Sequence, residues 1–320
     1  SLAIVIPYFK NDFFEHVLES LSSQTCLDFT VYIGDDHSPN AIEPILSRYK
    51  DKLNIVYHRF DKNLGSISLT KQWERCVNLS TENWIWLFSD DDVIEQNAVE
   101  VFYNSIDENN FLYKFNTQII DERGILNPMF KKHDSFNKLE GYISSDYLIN
   151  NRLQAQGFRS FAVEYVFHRS LFLKHGFINF PLAWNSDDAT WLRYSIANGK
   201  AIKLLNSTVY WRLSTSNITS NTISPFVIQQ KVEASILYID WLSQLVFLEK
   251  LHIEPILILK WFSIQIGSFM PEISISDFRK MLRDRPYTFH YFAVSFNFLR
   301  YVKCRIATRY FRDILRKICN

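Results

Sequence analysis

The chain has 320 residues, of which 47% are hydrophobic and 16% aromatic, with only eight Gly and nine Pro. This composition is typical of a globular protein and excludes collagen-like, linker-like and low-complexity classes. No two glycines lie closer than 16 residues, which excludes a GxGxxG dinucleotide fingerprint and a Walker P-loop. A nucleotide, if bound, is therefore held without a glycine-rich loop.

The four cysteines (Cys26, Cys76, Cys304 and Cys319) form no CxxC pair and no zinc-ligand spacing with histidine. We therefore expect reduced thiols in a cytoplasmic chain. The first apolar run, residues 2–6, lacks the basic flank and cleavage site of a signal peptide. No uncharged apolar stretch reaches the roughly 20 residues that cross a bilayer. These features predict a cytoplasmic protein without a membrane-spanning helix.

Charge is distributed unevenly along the chain. The net charge is +1, but residues 279–320 hold eleven Lys and Arg against two Asp, so this end carries +9 and the rest −8. Apolar residues at 299, 302, 306, 310 and 314 follow helical spacing, which predicts a basic amphipathic helix. Two interpretations stay open: attachment to an anionic surface, as on the inner face of the cytoplasmic membrane, or docking on the acidic body. We expect no nucleic-acid partner, because the basic residues are interleaved with apolar ones.

Short β-rich runs alternate with amphipathic segments over the first 120 residues, which predicts an α/β fold with a mostly parallel sheet flanked by helices. Asn11 and Asp12 are candidates to cap the first helix, and a loop-rich stretch is expected at 121–160. After a polar stretch at 213–224 the pattern becomes helical, so we predict domains over 1–219 and 220–320. The predicted strands are 2–6, 29–33, 55–59, 84–88, 111–117, 161–168 and 201–211.

Carboxylates follow two of these strands. Asp35 and Asp36 follow the second strand, and Asp90, Asp91 and Asp92 follow the fourth. Ligands of open α/β sheets collect at the carboxyl ends of strands, and three adjacent acids repel one another unless a cation lies among them. The triplet therefore predicts Mg²⁺ or Mn²⁺ held with substrate phosphates. Solvated turns and helix capping are the alternatives.

A third group of carboxylates, Asp187 and Asp188, opens a later amphipathic helix. Helix capping explains one acid better than two. A carboxylate that faces a cleft from a helix start is suited to general base catalysis. The neighbouring Trp184 and Trp191 are candidates for stacking on sugar rings, although core packing is the commoner fate of such residues.

The order of these motifs resembles family 2 glycosyltransferases of the GT-A fold, of the bacterial surface-polysaccharide type, over roughly residues 2–217. Each motif is weak alone, and the ordered set carries the resemblance. The matching segments are the first strand with its Pro7-Tyr8 turn, Asp35-Asp36-His37-Ser38 (D-D-x-S), Asn63-Leu64-Gly65 (N-x-G), the triplet at 90–92 (DXD), Asp187-Asp188 (E-D) and Trp211-Arg212 (Y-R).

The resemblance implies an inverting transferase that moves a sugar from a UDP-sugar to a glycan hydroxyl, lipid-linked in this group, with Mn²⁺ or Mg²⁺. It implies that residues 1–219 form the nucleotide-sugar-binding and catalytic domain. Asp188 would be the catalytic base, with Asp187 beside it, and the metal ligands would come from Asp90, Asp91 and Asp92. The donor-site residues it implies are Pro7, Asp35, Asp36, Lys71, Asp90 and Arg212.

Two other interpretations stay open. A sugar nucleotidyltransferase shares the α/β plan but needs a Gly-rich loop after the first strand, whereas the first glycine is Gly34. A non-catalytic binding or scaffold protein of the same fold would not need acids at all three positions.

Overall fold

The computed structural model describes residues 1–127, 139–154, 160–218, 220, 224–269, 273–283 and 285. The chain divides into two compact units. One takes in Ser1–Leu148, Phe158–Asn179 and Ser186–Ser220, and the other Ile149–Gly157, Phe180–Asn185 and Asn221–Asn320. The second unit thus draws on two earlier segments, and the division at 219/220 stays a prediction. The basic amphipathic helix predicted from residue 299 onward lies outside the described residues.

The first unit contains one mixed sheet, whose described strands are β1 (Leu2–Tyr8), β2 (Phe29–Asp35), β3 (Asn54–Arg59), β4 (Trp84–Leu87), β5 (Val93–Ile94), β6 (Leu112–Ile120), β7 (Tyr142–Ser144), β8 (Tyr165–His168) and β9 (Ala201–Arg212). Their order is β3-β2-β1-β4-β8-β6-β9-β5, with β7 also paired to β9. Of these strands, β5, β7 and β8 run antiparallel to the other six. The prediction of a mostly parallel sheet is confirmed.

The described helices are α1 (Phe14–Ser22), α2 (Glu43–Leu46), α3 (Leu69–Val77), α4 (Ala98–Ser105), α5 (Ser145–Arg152), α6 (Arg169–His175), α7 (Ser186–Ala197), α8 (Pro225–Glu249), α9 (Pro255–Phe269) and α10 (Ile275–Arg283). The last three confirm that the chain becomes helical after the polar stretch, as far as the structure describes it, between residues 225 and 283. None of the described helices is long and apolar enough to cross a membrane.

The central strands are buried on both faces, which explains their unbroken apolar sequences. One face of β1 packs with α1 and α4 in a core that includes Ile4, Val17 and Phe102. On this face Trp86 of β4 stacks on Phe115 of β6, with ring centroids 4.4 Å apart. Helix α3 packs against β1, β2 and β4. With both faces covered, the strand ends are the places in this sheet left for a ligand.

Three local predictions are wrong. Helix α1 has no side-chain cap: Phe13 precedes it, and Asn11 contributes only its backbone carbonyl to the Phe14 N–H, at 3.2 Å. The strand predicted at 161–168 begins instead with a 3-10 turn, Ala162–Glu164, because Glu164 accepts from the Phe161 N–H and holds the turn. The stretch predicted to be loop-rich, 121–160, contains β7 and α5. The apolar residues of these two elements show too little periodicity for either to be recognised in the sequence.

Candidate active site

The carboxyl ends of β2, β1 and β4 lie side by side, because these strands are adjacent and parallel. Pro7 is paired with Gly34 near the end of β1. Just beyond, the Asp36 N–H donates to the Tyr8 carbonyl at 2.9 Å. The acids predicted after the second and fourth strands therefore lie at the same end of the sheet, where the strands have their carboxyl ends.

Asp35, the last residue of β2, is fully buried and bound by protein donors. Its Oδ1 accepts from the Ser38 N–H at 2.7 Å, and its Oδ2 accepts from the Tyr57 hydroxyl at 2.6 Å and Arg59 Nη1 at 2.7 Å. Burial and the bond to Asp35 raise the pKa of Tyr57 to about 12, so the phenol remains a donor. Asp35 thus supports the floor of the site.

Asp36 holds the turn before α3. Its Oδ1 accepts from the Leu64 N–H at 2.7 Å and its Oδ2 from the Gly65 N–H at 2.8 Å. Arg75 of α3 donates to Oδ1 and lies over the Phe60 ring, 3.8 Å from its centroid. Since Oδ2 has a single protein donor among the described residues, it keeps a lone pair for a ligand N–H.

Lys71, the predicted cation of this segment, is exposed and pairs with Glu74 at 2.7 Å. The cation of α3 that reaches an acid of the site is Arg75, one turn later. Sequence reasoning missed Arg75 and Phe60. The signal available was the spacing of Lys71 and Arg75, which places them on the same face of a helix.

The triplet after β4 is tied to its neighbours by hydrogen bonds. Asp90 Oδ2 accepts from the Phe9 and Lys10 N–H groups at 2.9 and 2.8 Å, which fixes the loop after β1. Asp92, 2% exposed, accepts from Ser89 Oγ at 2.5 Å and from the Arg212 N–H at 2.7 Å. The triplet thus links β1, β4 and β9.

The triplet carries negative charge that the protein only partly offsets. Burial raises the pKa of all three carboxyls, and the charge of Asp90 raises that of Asp91 further. Lys10 and Arg212 oppose this effect at Asp91. Two oxygens of Asp92 and one of Asp90 accept from protein donors, whereas Ser89, which also neighbours the Asp91 carboxylate, donates its single hydroxyl proton to Asp92. Asp91 is therefore the best placed of the three to bind a cation.

The described residues include no group of three or more His, Cys, Asp or Glu side chains that could hold a metal ion. Mg²⁺ and Mn²⁺ are held in many enzymes by one or two carboxylates and the substrate's phosphates, so a protein-only cage is not required. The hard oxygen of Asp91 and the second oxygen of Asp90 fit this chemistry.

Arg212 ends β9 and is 2% exposed. Its Nε donates to the Asp91 carbonyl at 2.7 Å, and its Nη1 to the Asp121 and Glu122 carbonyls at 3.1 and 3.2 Å. The guanidinium carbon lies 4.6 Å from the centroid of the Phe13 ring. Arg212 thus braces the backbone behind the triplet.

Asp187 and Asp188 lie in the first turn of α7. Asp187 Oδ1 accepts from the Asp188 N–H at 3.0 Å, so Asp187 serves the helix terminus, while Asp188 is 6% exposed. Both charges contribute to a raised pKa of Tyr165, which comes first from burial. Tyr165 begins β8, which runs against β4, so it lies toward the end of β4 from which the triplet extends. The charges of both acids therefore act on a residue at that end of the sheet.

The backbone before α7 is strained. Leu182 and Ala183 have φ angles of 58° and 52°, a conformation that costs such residues about 1–2 kcal/mol each. Asn185, with a φ of 63°, adopts this conformation more readily. Such strain is concentrated at functional sites, where the surrounding structure holds it in place.

The two tryptophans of this region have different surroundings. Trp191 is 1% exposed and stacks on Tyr165 with ring centroids 4.7 Å apart, so it is a core residue and not a sugar platform. Trp184 belongs to the second unit, where the buried Lys231 Nζ lies 4.6 Å from its ring centroid. Desolvation lowers the pKa of Lys231 to about 8.

Comparison with known proteins identifies the family to which this chain belongs. A family model described as glycosyl transferase family 2 matches residues 3–166, just over half of the chain. The chain belongs to this family and is a glycosyltransferase, which confirms the prediction made from the ordered motifs. No curated protein matches it.

Solved structures confirm the GT-A fold. S. aureus TarS 1–349 in complex with UDP-GlcNAc is 17% identical, with a TM-score of 0.55, over 94% of this chain and 90% of that chain. Mannosyltransferase PcManGT from Pyrobaculum calidifontis, in complex with GDP-Man and Mn²⁺, is 10% identical, with a TM-score of 0.50, over 95% of this chain and 83% of that chain. At these identities the likeness concerns the fold alone.

Proposed function

We propose that this glycosyltransferase moves a sugar from a UDP-sugar to a hydroxyl of a glycan acceptor, with inversion at the anomeric carbon and with Mn²⁺ or Mg²⁺ bound. The observation that carries the proposal is that hydrogen bonds connect three acid-bearing segments at the carboxyl ends of the strands. Asp36 bonds to the end of β1, Asp90 to the loop after β1, and Asp92 to β9. The neighbours solved in complex with UDP-GlcNAc and with GDP-Man and Mn²⁺ share this fold.

The nucleoside would bind where Asp36 and Arg75 meet. Uracil N3–H and the ribose hydroxyls are hydrogen-bond donors, so they need acceptors such as the second lone pair of Asp36 Oδ2. Arg75 holds that carboxylate and is itself held against Phe60. Asp35 keeps the floor rigid through Tyr57 and Arg59.

The diphosphate would lie beside Asp91 and Asp90, which would hold the metal. When bound, the divalent ion supplies positive charge that stabilises the departing diphosphate. Asp92 and Arg212 keep the triplet's backbone in place, through the bond from the Arg212 N–H to Asp92 and from its Nε to the Asp91 carbonyl. This arrangement leaves Asp91 as the side chain on which metal binding depends.

Asp188 would be the general base. The bond between the anomeric carbon and the β-phosphate oxygen breaks, and its electron pair leaves with UDP. The acceptor oxygen forms the new bond from the opposite face, and its proton passes to Asp188. Inversion follows, because a single displacement takes place on the face opposite the departing UDP. Asp187 supports the helix terminus instead.

A panel of nucleotide sugars tests this proposal. UDP release from one UDP-sugar, dependent on Mn²⁺ or Mg²⁺ and lost in EDTA, is the expected result. NMR of the product should give the anomeric configuration opposite to that of the donor. Release of UDP without added metal in EDTA, or release from no nucleotide sugar, would contradict the proposal.

We also infer that the basic end of the chain attaches the enzyme to an anionic membrane, where a lipid-linked glycan would be its acceptor. The support is the sequence alone, with cations interleaved at helical spacing among apolar residues. Each cation near such a surface contributes about 1 kcal/mol. The chain should co-sediment with phosphatidylglycerol vesicles in a salt-sensitive way. A variant with Arg309, Arg312, Arg316 and Lys317 changed to Gln should not; equal co-sedimentation would favour docking on the acidic body.

A further inference from the structure

Two cationic residues, Arg212 and Lys10, are hydrogen-bonded to the acid triplet. Arg212 is turned inward: it is 2% exposed and donates to three backbone carbonyls. Its Nε and Nη1 are held by these carbonyls, so only Nη2 of the guanidinium is left for a phosphate. A second cationic residue near the triplet is therefore a candidate to bind the diphosphate.

Lys10 is placed for this contact. Its N–H donates to Asp90 Oδ2 at 2.8 Å, so its backbone is fixed to the first acid of the triplet. Its side chain is half-buried, and Nζ donates to the Ser216 carbonyl at 2.6 Å. That is one of three ammonium donors, and among the described residues it is the single hydrogen bond of this group.

The geometry points to Lys10 as the residue that binds the diphosphate of the donor and stabilises UDP as it departs. This inference rests on the proposed function and deepens it. When the glycosidic bond breaks, the electron pair stays on the β-phosphate, and the Lys10 ammonium would offset the added charge. A lysine is a mobile point charge, so it can exchange a carbonyl for a phosphate oxygen, whereas Arg212 keeps Nε and Nη1 on backbone carbonyls.

The contact with Ser216 gives this lysine a second property. Ser216 lies in the turn after β9, and Ser214 and Asn217 bond to each other across that turn at 2.6 Å. Without donor, Lys10 joins this turn to the loop after β1. With donor bound, the phosphate would compete for the same ammonium.

Calorimetry with UDP and uridine tests the inference, because uridine lacks the phosphates. Lys10→Met should weaken UDP binding about 10- to 100-fold, the scale for loss of one charged hydrogen bond, and leave uridine binding unchanged. Lys10→Arg should restore much of the UDP affinity. The matched control is Lys50→Met, which removes an exposed lysine of the same unit and should change neither affinity.

Two results would overturn the inference alone. One is a Lys10→Met protein that binds UDP as well as the wild type. The other is an equal loss of UDP and uridine affinity, which indicates a structural role for Lys10. If the wild-type chain itself binds uridine and UDP equally, no group in it recognises a diphosphate, and the proposed function fails together with the inference.

Discussion

Arg75 and Asp36 form an ion pair in which the arginine also lies over the Phe60 ring, 3.8 Å from its centroid, and donates to the Lys62 carbonyl at 2.9 Å. Asp36 is 4% exposed and also binds the turn before α3 through two N–H groups. The pair therefore sets the position of the carboxylate that we assign to the base of the nucleotide.

Replacing Arg75 should weaken nucleotide binding. In Arg75→Met the Asp36 carboxylate loses its charged partner, and we expect UDP and uridine affinities to fall together, about 10-fold or more. Calorimetry measures both. Arg48→Met is the control, because Arg48 forms an exposed pair with Glu15 that contributes little. Unchanged uridine affinity in Arg75→Met would show that Asp36 needs no such partner.

Gly65 is required because a side chain there would meet Asp36. A Cβ at this position would lie 2.6 Å from Asp36 Oδ2, the oxygen that accepts the Gly65 N–H. Gly65→Ala should displace the carboxylate and lower uridine affinity without unfolding the chain. In the control Gly267→Ala, within α9, a Cβ meets no atom within 4 Å, so we expect unchanged uridine affinity and a stabilisation of about 0.5–1 kcal/mol. Wild-type uridine affinity in Gly65→Ala would contradict the prediction.

Substitutions of Asp188 and Asp187 should have different effects on the kinetics. Asp188→Asn should lower kcat by about 10²- to 10⁴-fold, the usual contribution of a general base, with UDP affinity kept. Asp187→Asn should leave kcat and stability near their wild-type values, since the amide oxygen of Asn can still accept from the Asp188 N–H. Steady-state kinetics, calorimetry and thermal unfolding separate these effects. A larger loss of kcat in Asp187→Asn would exchange the two roles.

Lys114 and Glu164 form a buried ion pair between β6 and the start of β8, and their side chains are 5% and 0% exposed. Lys114→Met would leave a buried carboxylate without its cation, and we expect it to lower the free energy of unfolding by about 3–5 kcal/mol. The double variant Lys114→Met with Glu164→Leu should recover much of that loss. Urea unfolding of the three proteins measures both effects. If the double variant were no more stable than Lys114→Met, the unpaired charge would not be the cause.

Much of the fold was predictable because strong patterns specify it. β1 and β4 are continuous apolar runs, and α3 carries Trp73 and Val77 at helical spacing. The start of α1 and the 3-10 turn before β8 were not predictable, since the backbone carbonyl of Asn11 and the side chain of Glu164 decide them. Residue identity alone gives no sign of such contacts.

The candidate site was predictable in its acids and less so in its cations. Asp90 and Asp36 follow strands whose parallel register brings their ends together. Lys71 and Arg75 lie on one face of α3, and the choice between them depends on where Phe60 and Asp36 lie. The inward direction of Arg212 likewise depends on the carbonyls of residues that lie far away in the sequence.

The central claim is that Asp91 holds a divalent metal that the donor's phosphates share, and titration of UDP into the protein with Mn²⁺ and then with EDTA tests it most directly. The wild type and the control Asp51→Asn, which changes an exposed acid, should bind UDP about 10-fold or more tightly with Mn²⁺ than with EDTA. Asp91→Asn should bind UDP weakly and equally in both conditions, with uridine affinity kept. Equal UDP affinity of the wild type in Mn²⁺ and EDTA, or a full Mn²⁺ effect in Asp91→Asn, would contradict the claim.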